Sequence, residues 1–157
     1  MEAEEFDELA LFRAIEGAGI RCVLIGRRAL VMLGLGVLTG DYDLWIDAND
    51  AERLNLGLAS LQLHPTRSPE DARKVGRYSL EGEARIDVLL ARAVSTVDGV
   101  PVRFDDVWNR RETLPLADGV SVAIPSLDDL IATKRFAARP KDADDIRLLT
   151  LLKETRR

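Results

Sequence analysis

The run Asp41-Tyr42-Asp43-Leu44-Trp45-Ile46-Asp47 constrains this chain more than any other stretch, because it reads as a buried strand that nevertheless carries acids. Side chains on a strand alternate faces, so Asp41 and Asp43 share one face while Tyr42, Leu44 and Ile46 take the other. Two carboxylates held that close repel, and one of them protonates unless a cation sits between them. A hard, oxygen-liganded ion such as Mg²⁺ or Mn²⁺ resolves the conflict. A third acid, Asp87, interrupts the apolar run Ala84-Arg85-Ile86-Asp87-Val88-Leu89-Leu90, where an acid needs a reason. If the two strands are neighbours, three carboxylates meet at one metal site. The competing reading places alternating acids in water with no function. Trp45, on the acids' face, makes that face a poor solvent surface.

Other chemistries have little to work with. The single cysteine, Cys22, lies in the apolar run Cys22-Val23-Leu24-Ile25 and suits a buried strand, and the only histidine, His64, stands beside Pro65. One Cys and one His cannot build a usual zinc site, and a hydrolase triad would rest on His64 alone. A formal charge of −5 disfavours bulk nucleic-acid binding, which needs a basic face. Local basic clusters remain at Arg27-Arg28, Arg73-Lys74 with Arg77, Arg110-Arg111, and Lys134-Arg135 with Arg139 and Lys141. No apolar run approaches the ~20 residues of a membrane span. The acidic start Met1-Glu2-Ala3-Glu4-Glu5 is the reverse of a signal peptide's, so a cytoplasmic location is expected. At 157 residues a single domain is expected, with a core over about 5–92 and a C-terminal extension over about 93–157.

Along the chain, residues 4–17 predict an amphipathic helix and 21–25 a strand buried on both faces. Gly26-Arg27 then turns into a helix over 27–33, and such a turn offers free N–H groups to an anion. The glycine-rich connector 34–40 lets the acid strand lie beside the Cys22 strand, with the Gly26 turn and the acids at one end of the sheet. Residues 50–61 predict a second helix, 64–69 a loop, and 76–80 with 85–90 a hairpin. Beyond Leu90 come an Asp98-Gly99 turn, a short helix over 105–111 and two extended runs around Asp118-Gly119. Ser126 and Asp129 form a capping-box signal for a helix to about Ala138, Arg139-Pro140 breaks it, and 141–154 forms the last helix.

In this order, Leu24-Ile25-Gly26 before a helix, Asp41-Tyr42-Asp43-Leu44, and Ile86-Asp87-Val88 resemble the signature of the polymerase-beta-like nucleotidyltransferase superfamily. The segment Ile124-Pro125-Ser126-Leu127-Asp128-Asp129-Leu130-Ile131-Ala132-Thr133-Lys134, followed by Arg139-Pro140-Lys141-Asp142-Ala143-Asp144-Asp145-Ile146, resembles its small bacterial branch, which includes AbiEii-type toxins and lincosamide-type nucleotidyltransferases. The resemblance implies an α+β (α/β) nucleotidyltransferase fold: a small mixed β-sheet with helices packed on it and two C-terminal helices. It implies transfer of a nucleoside monophosphate from an NTP to an acceptor hydroxyl on a small molecule, protein or RNA, with release of pyrophosphate. Asp41, Asp43 and Asp87 would be catalytic and hold the metal; Gly26, Arg27 and Lys134 would contact the nucleotide. One position departs from the pattern, since the superfamily usually carries Gly or Ser where this chain has Arg27. Arginine there binds phosphate by charge or fills the pocket. The second case would make the chain a binding or regulatory module, in a toxin–antitoxin or defence system, acting through a partner protein. A homodimer completing the cleft is the further partner expected.

Overall fold

The computed structural model describes residues 6–156. The first helix, α1 (Glu8–Gly17), begins after Asp7, whose side chain accepts from the Ala10 N–H. Positions 4 and 5 of the predicted helix, like the rest of the acidic start, lie outside the described residues. Next come β1 (Cys22–Ile25) and, with no intervening loop, α2 (Gly26–Met32). The connector leads into β2 (Tyr42–Ile46). A short 3-10 turn over Ala48–Asp50 precedes α3 (Ala51–Ala59), β3 (His64–Pro65), α4 (Pro69–Val75), β4 (Arg77–Glu81) and β5 (Arg85–Leu89).

These strands form one five-stranded mixed sheet in the order β1-β2-β5-β4-β3. Strands β1 and β2 run antiparallel, β2 and β5 parallel, and β5, β4 and β3 antiparallel. Alternation divides the sheet. Cys22, Leu24, Tyr42, Leu44, Ile46, Ile86 and Val88 enter the main core with α1 and α3, whereas Val23, Ile25 and Trp45 enter a second core on the opposite face. The acids belong to this second face, which apolar residues cover only in part.

The remaining elements pack on both faces. A small hairpin of β6 (Ala93–Ser95) and β7 (Pro101–Arg103) leads to α5 (Phe104–Asn109). Val102, Phe104 and Val107 close the second core over Trp45, whose indole N–H donates to the Ala91 carbonyl at 2.9 Å. A hairpin of β8 (Glu112–Pro115) and β9 (Ser121–Ile124) adds Val122 and Ile124 to the main core. Two helices finish the chain, α6 (Leu127–Thr133) and α7 (Pro140–Thr155).

Three local expectations change. The predicted loop over 64–69 contains β3, whose His64 and Pro65 pair with Glu81 and Leu80 at the sheet edge, the position where proline is tolerated. It also opens α4, a helix the apolar pattern does not announce because only Ala72 is buried on it. Finally, α6 stops at Thr133 rather than near Ala138. Its Ser126 hydroxyl caps the Asp129 N–H, but the Asp129 carboxylate turns to Arg110 instead, accepting two bonds of 2.9 Å.

The β1–α2 junction depends on one glycine. Gly26 has φ +72°, and a Cβ there would overlap Asp43 Oδ2 and lie 3.0 Å from its Cγ. The backbone thus passes directly against an acid of the site. Gly26→Ala should cost about 1–3 kcal/mol in urea unfolding; a variant as stable as the parent would show that this approach is not needed.

Candidate active site

Gly26, Arg27, Asp41, Asp43, Asp87 and Lys134 all line one cleft of about 800 Å³ over the open part of the second face. The sheet register explains how distant segments meet there. Ile25 pairs with Asp43, Asp43 with Asp87, and Asp87 with Ser79, giving one row across four strands. Asp43 and Asp87 therefore stand side by side, and Asp41, just before β2, lies at the exposed rim. Burial first, then the charges of Asp87 and Asp41, push the Asp43 carboxyl up to about 6, against the opposing pull of Lys134 and Arg139.

Asp87 accepts from Arg85 Nε at 3.0 Å. Among the described residues no three His, Cys, Asp or Glu side chains are gathered closely enough to hold a metal ion as they stand. The donor chemistry nevertheless fits a divalent cation: Asp41, Asp43 and Asp87 offer hard carboxylate oxygens, and the central one, Asp43, is held against ionisation by burial and by its two acidic neighbours. Asp43 and Asp87, with Asp41 swinging from the rim, are the side chains that would hold Mg²⁺ or Mn²⁺.

The opposite wall holds a residue that the spacing did not single out. Asp145 of α7 is fully buried, and Lys134, the residue that ends α6, is 6% exposed. Lys134 Nζ donates to Asp145 Oδ2 at 2.8 Å, while Arg27 Nε and Nη2 donate to the two Asp145 oxygens at 3.2 and 3.1 Å. Burial alone would raise the Asp145 carboxyl; the bonds from Lys134 and Arg27 outweigh it and hold the group below the ordinary carboxylate range. Lys134 is thus neither a solvated lysine nor a free one. Arg27 is held too, with Nη1 donating to the Leu38 carbonyl at 3.2 Å. A signal existed: Asp142, Asp145 and Leu149 recur at helical spacing on the buried side of α7, and acids on such a stripe require partners.

The basic clusters separate by role. Arg27, Arg77, Lys134, Arg139 and Lys141 line the cleft, joined by Arg67 and Arg85. Several of the others are occupied elsewhere: Arg28 stacks over the Tyr42 ring at 4.2 Å, Arg73 pairs with Glu52 at 2.8 Å, and Arg111 lies over Trp108 at 3.7 Å. Cys22 is buried and free, with its thiol pushed up by burial, consistent with a packing role. No described helix is long and apolar enough to cross a membrane.

No family model and no curated protein matches the chain. Solved structures do. The antibiotic-resistance factor ANT(2'')-Ia matches with a TM-score of 0.61 at 14% identity, over 89% of this chain and 78% of its own. TM1012 of Thermotoga maritima, provisionally described as a nucleotidyltransferase, gives a TM-score of 0.61 at 14% identity, over 92% and 89%. The lincosamide antibiotic adenylyltransferase LnuA, solved with lincomycin bound, gives 0.61 at 15% identity, over 94% and 98%. At these identities the likeness is one of fold, and the chain has the mixed α+β nucleotidyltransferase fold.

Two outcomes follow for the cleft. Between about pH 4 and the raised value of about 6, the folded protein keeps a proton on Asp43 that the unfolded chain has released, so stability falls as pH rises through that window. Asp43→Asn removes the fall and should raise Tm at pH 8 by roughly 2–8 °C in calorimetry; an unchanged Tm would mean that the ionised acid is not strained. Asp145→Ala leaves Lys134 buried without its anion and should cost about 3–5 kcal/mol. Most of that loss should return in Lys134→Met plus Asp145→Leu, and equal instability of the single and double variants would contradict the pairing.

Proposed function

We propose that this cleft transfers a nucleoside monophosphate from an NTP to an acceptor hydroxyl and releases pyrophosphate. The observation that carries the proposal is the side-by-side placement of Asp43 and Asp87 on a sheet of the nucleotidyltransferase fold, beneath a wall of cations. In the reaction the acceptor oxygen bonds to the α-phosphorus, and the bond from that phosphorus to the bridging oxygen breaks. Pyrophosphate leaves with the electron pair. Asp87, partly exposed beside Asp43, takes the proton of the acceptor hydroxyl. A divalent cation held by Asp43, Asp87 and Asp41 would supply charge neutralisation for the phosphates and polarise the oxygens that attack and leave.

The chain's own residues provide the rest. Gly26 lets the backbone at the start of α2 lie directly against the Asp43 carboxylate, where any Cβ would overlap Oδ2. Lys134 and Arg27 together bring two positive charges to one buried carboxylate, so the wall stays net positive toward the triphosphate. Arg139, whose guanidinium is shared with Asp142 at 2.9 Å, adds charge at the mouth. Arginine at position 27 thus does its work while tied to α7, in place of the small residue usual there. The regulatory-module reading requires that the same arginine keep nucleotide out.

LnuA is a lincosamide adenylyltransferase, which makes AMP transfer the first reaction to test here. With α-labelled ATP, Mg²⁺ and cell extract, the wild-type protein should label an acceptor. Asp41→Ala plus Asp43→Ala should reduce the labelling at least about 100-fold. Labelling that survives the double substitution would remove the acids from the chemistry, and failure of every NTP to bind would favour the regulatory module.

A further inference from the structure

The cations of the cleft fall into two banks separated by the row Asp43–Asp87–Ser79. On one side stand Arg27, Lys134, Arg139 and Lys141, contributed by α2 and by the end of α6 with the start of α7. On the other stand Arg67 and Arg77, from the segment before α4 and from the start of β4, whereas Arg85 of β5 lies across the row from Arg77, opposite Glu81. The first bank is interlocked with Asp142 and Asp145. The second is different. Arg67 Nη1 donates to the Arg77 carbonyl at 2.9 Å, which holds the Arg67 guanidinium against the β4 backbone.

Neither Arg67 nor Arg77 makes an ion pair among the described residues. The acids facing this bank are Glu81 and Asp87, and both are engaged by Arg85, at 3.7 and 3.0 Å. Two exposed guanidinium groups therefore share a cleft wall with no anion between them, in a chain whose net charge is −5. Ser79 and Thr66, joined by a 3.3 Å hydroxyl contact, form the uncharged floor beside them.

An in-line displacement puts the attacking oxygen and the leaving group on opposite sides of the reacting phosphorus. If the triphosphate lies along Gly26 and Lys134, pyrophosphate leaves toward the first bank and the acceptor arrives over β4. From that geometry we infer that the acceptor is a phosphate-bearing molecule, its phosphate received by Arg67 and Arg77 while its hydroxyl faces Asp87. The inference rests on the transferase reading of the same cleft and names its substrate class. A cationic acceptor would be repelled at this wall, and a neutral one would leave the two arginines unneutralised.

Two phosphate sources carry this chemistry, a free nucleotide and an RNA end. The test uses a fluorescein-labelled twelve-nucleotide RNA with a free 3'-hydroxyl, followed by anisotropy over a salt series, with AMP as competitor. The variants are Arg67→Glu plus Arg77→Glu and the milder Arg67→Gln plus Arg77→Gln. Binding of Mg-ATP by titration calorimetry serves as the independent readout of the donor side.

The wild-type protein should bind RNA or AMP, and both variants should weaken that binding by more than about tenfold. The RNA salt slope should shrink by about 0.7 per arginine removed. Mg-ATP affinity should stay within about threefold. Displacement of RNA by AMP would identify the phosphomonoester as the recognised group; RNA binding that AMP leaves untouched would identify the longer chain. Wild-type protein that takes up neither RNA nor AMP, variants that bind as well as the parent, or variants that lose Mg-ATP in parallel would each overturn the assignment. Failure of the wild type to bind Mg-ATP or any other Mg-NTP would instead defeat the underlying transferase reading.

Discussion

Parallel pairing of β2 with β5 is the constraint on which the rest depends. It sets Asp43 beside Asp87 from segments more than forty residues apart in the chain, and alternation then turns Leu44 and Val88 together into the main core. A one-residue slip would bury the acids and expose the aliphatics, so the main core enforces the geometry of the opposite face. The uncomfortable charge on Asp43 is a consequence of this register, held in place by hydrophobic burial that is indifferent to it.

The charged wall above the row has a different origin. Asp145 is buried with two cations, an arrangement whose desolvation cost is large and whose net contribution to stability is small. Its effect is to order Arg27 and Lys134, two flexible side chains from separate parts of the fold, around one fixed point. Interior acids on α7 thereby define the cleft without facing it, much as the apolar strand residues define the acid row from behind.

Much of this was legible in the sequence, for reasons that differ by residue. The pairing of Asp41 with Asp43 and the interruption by Asp87 follow from a period of two, which needs no long-range information. The Gly26 turn and the hairpin of β4 and β5 are likewise local. Helix α4 was written in its termini, Ser68 and Pro69 at the start and Gly76 at φ +90° at the end, but it lacks the apolar stripe by which helices are usually found. The early end of α6 and the partner of Asp145 were not legible locally. Lys134 must turn into the interior to meet an acid eleven positions later, and Arg27 reaches the same acid across 118 positions. Contacts of that span are set by the assembled fold.

Because the anchor of the cation wall lies on α7, the cleft has an order of completion. During synthesis the acid row can assemble once β5 has emerged, whereas Arg27 and Lys134 find their shared carboxylate only after residue 145 has left the ribosome. A nascent chain therefore carries its acid row before its cation wall is ordered. Truncation or proteolytic clipping ahead of the last helix would remove that anchor together with Leu149, which α7 contributes to the main core.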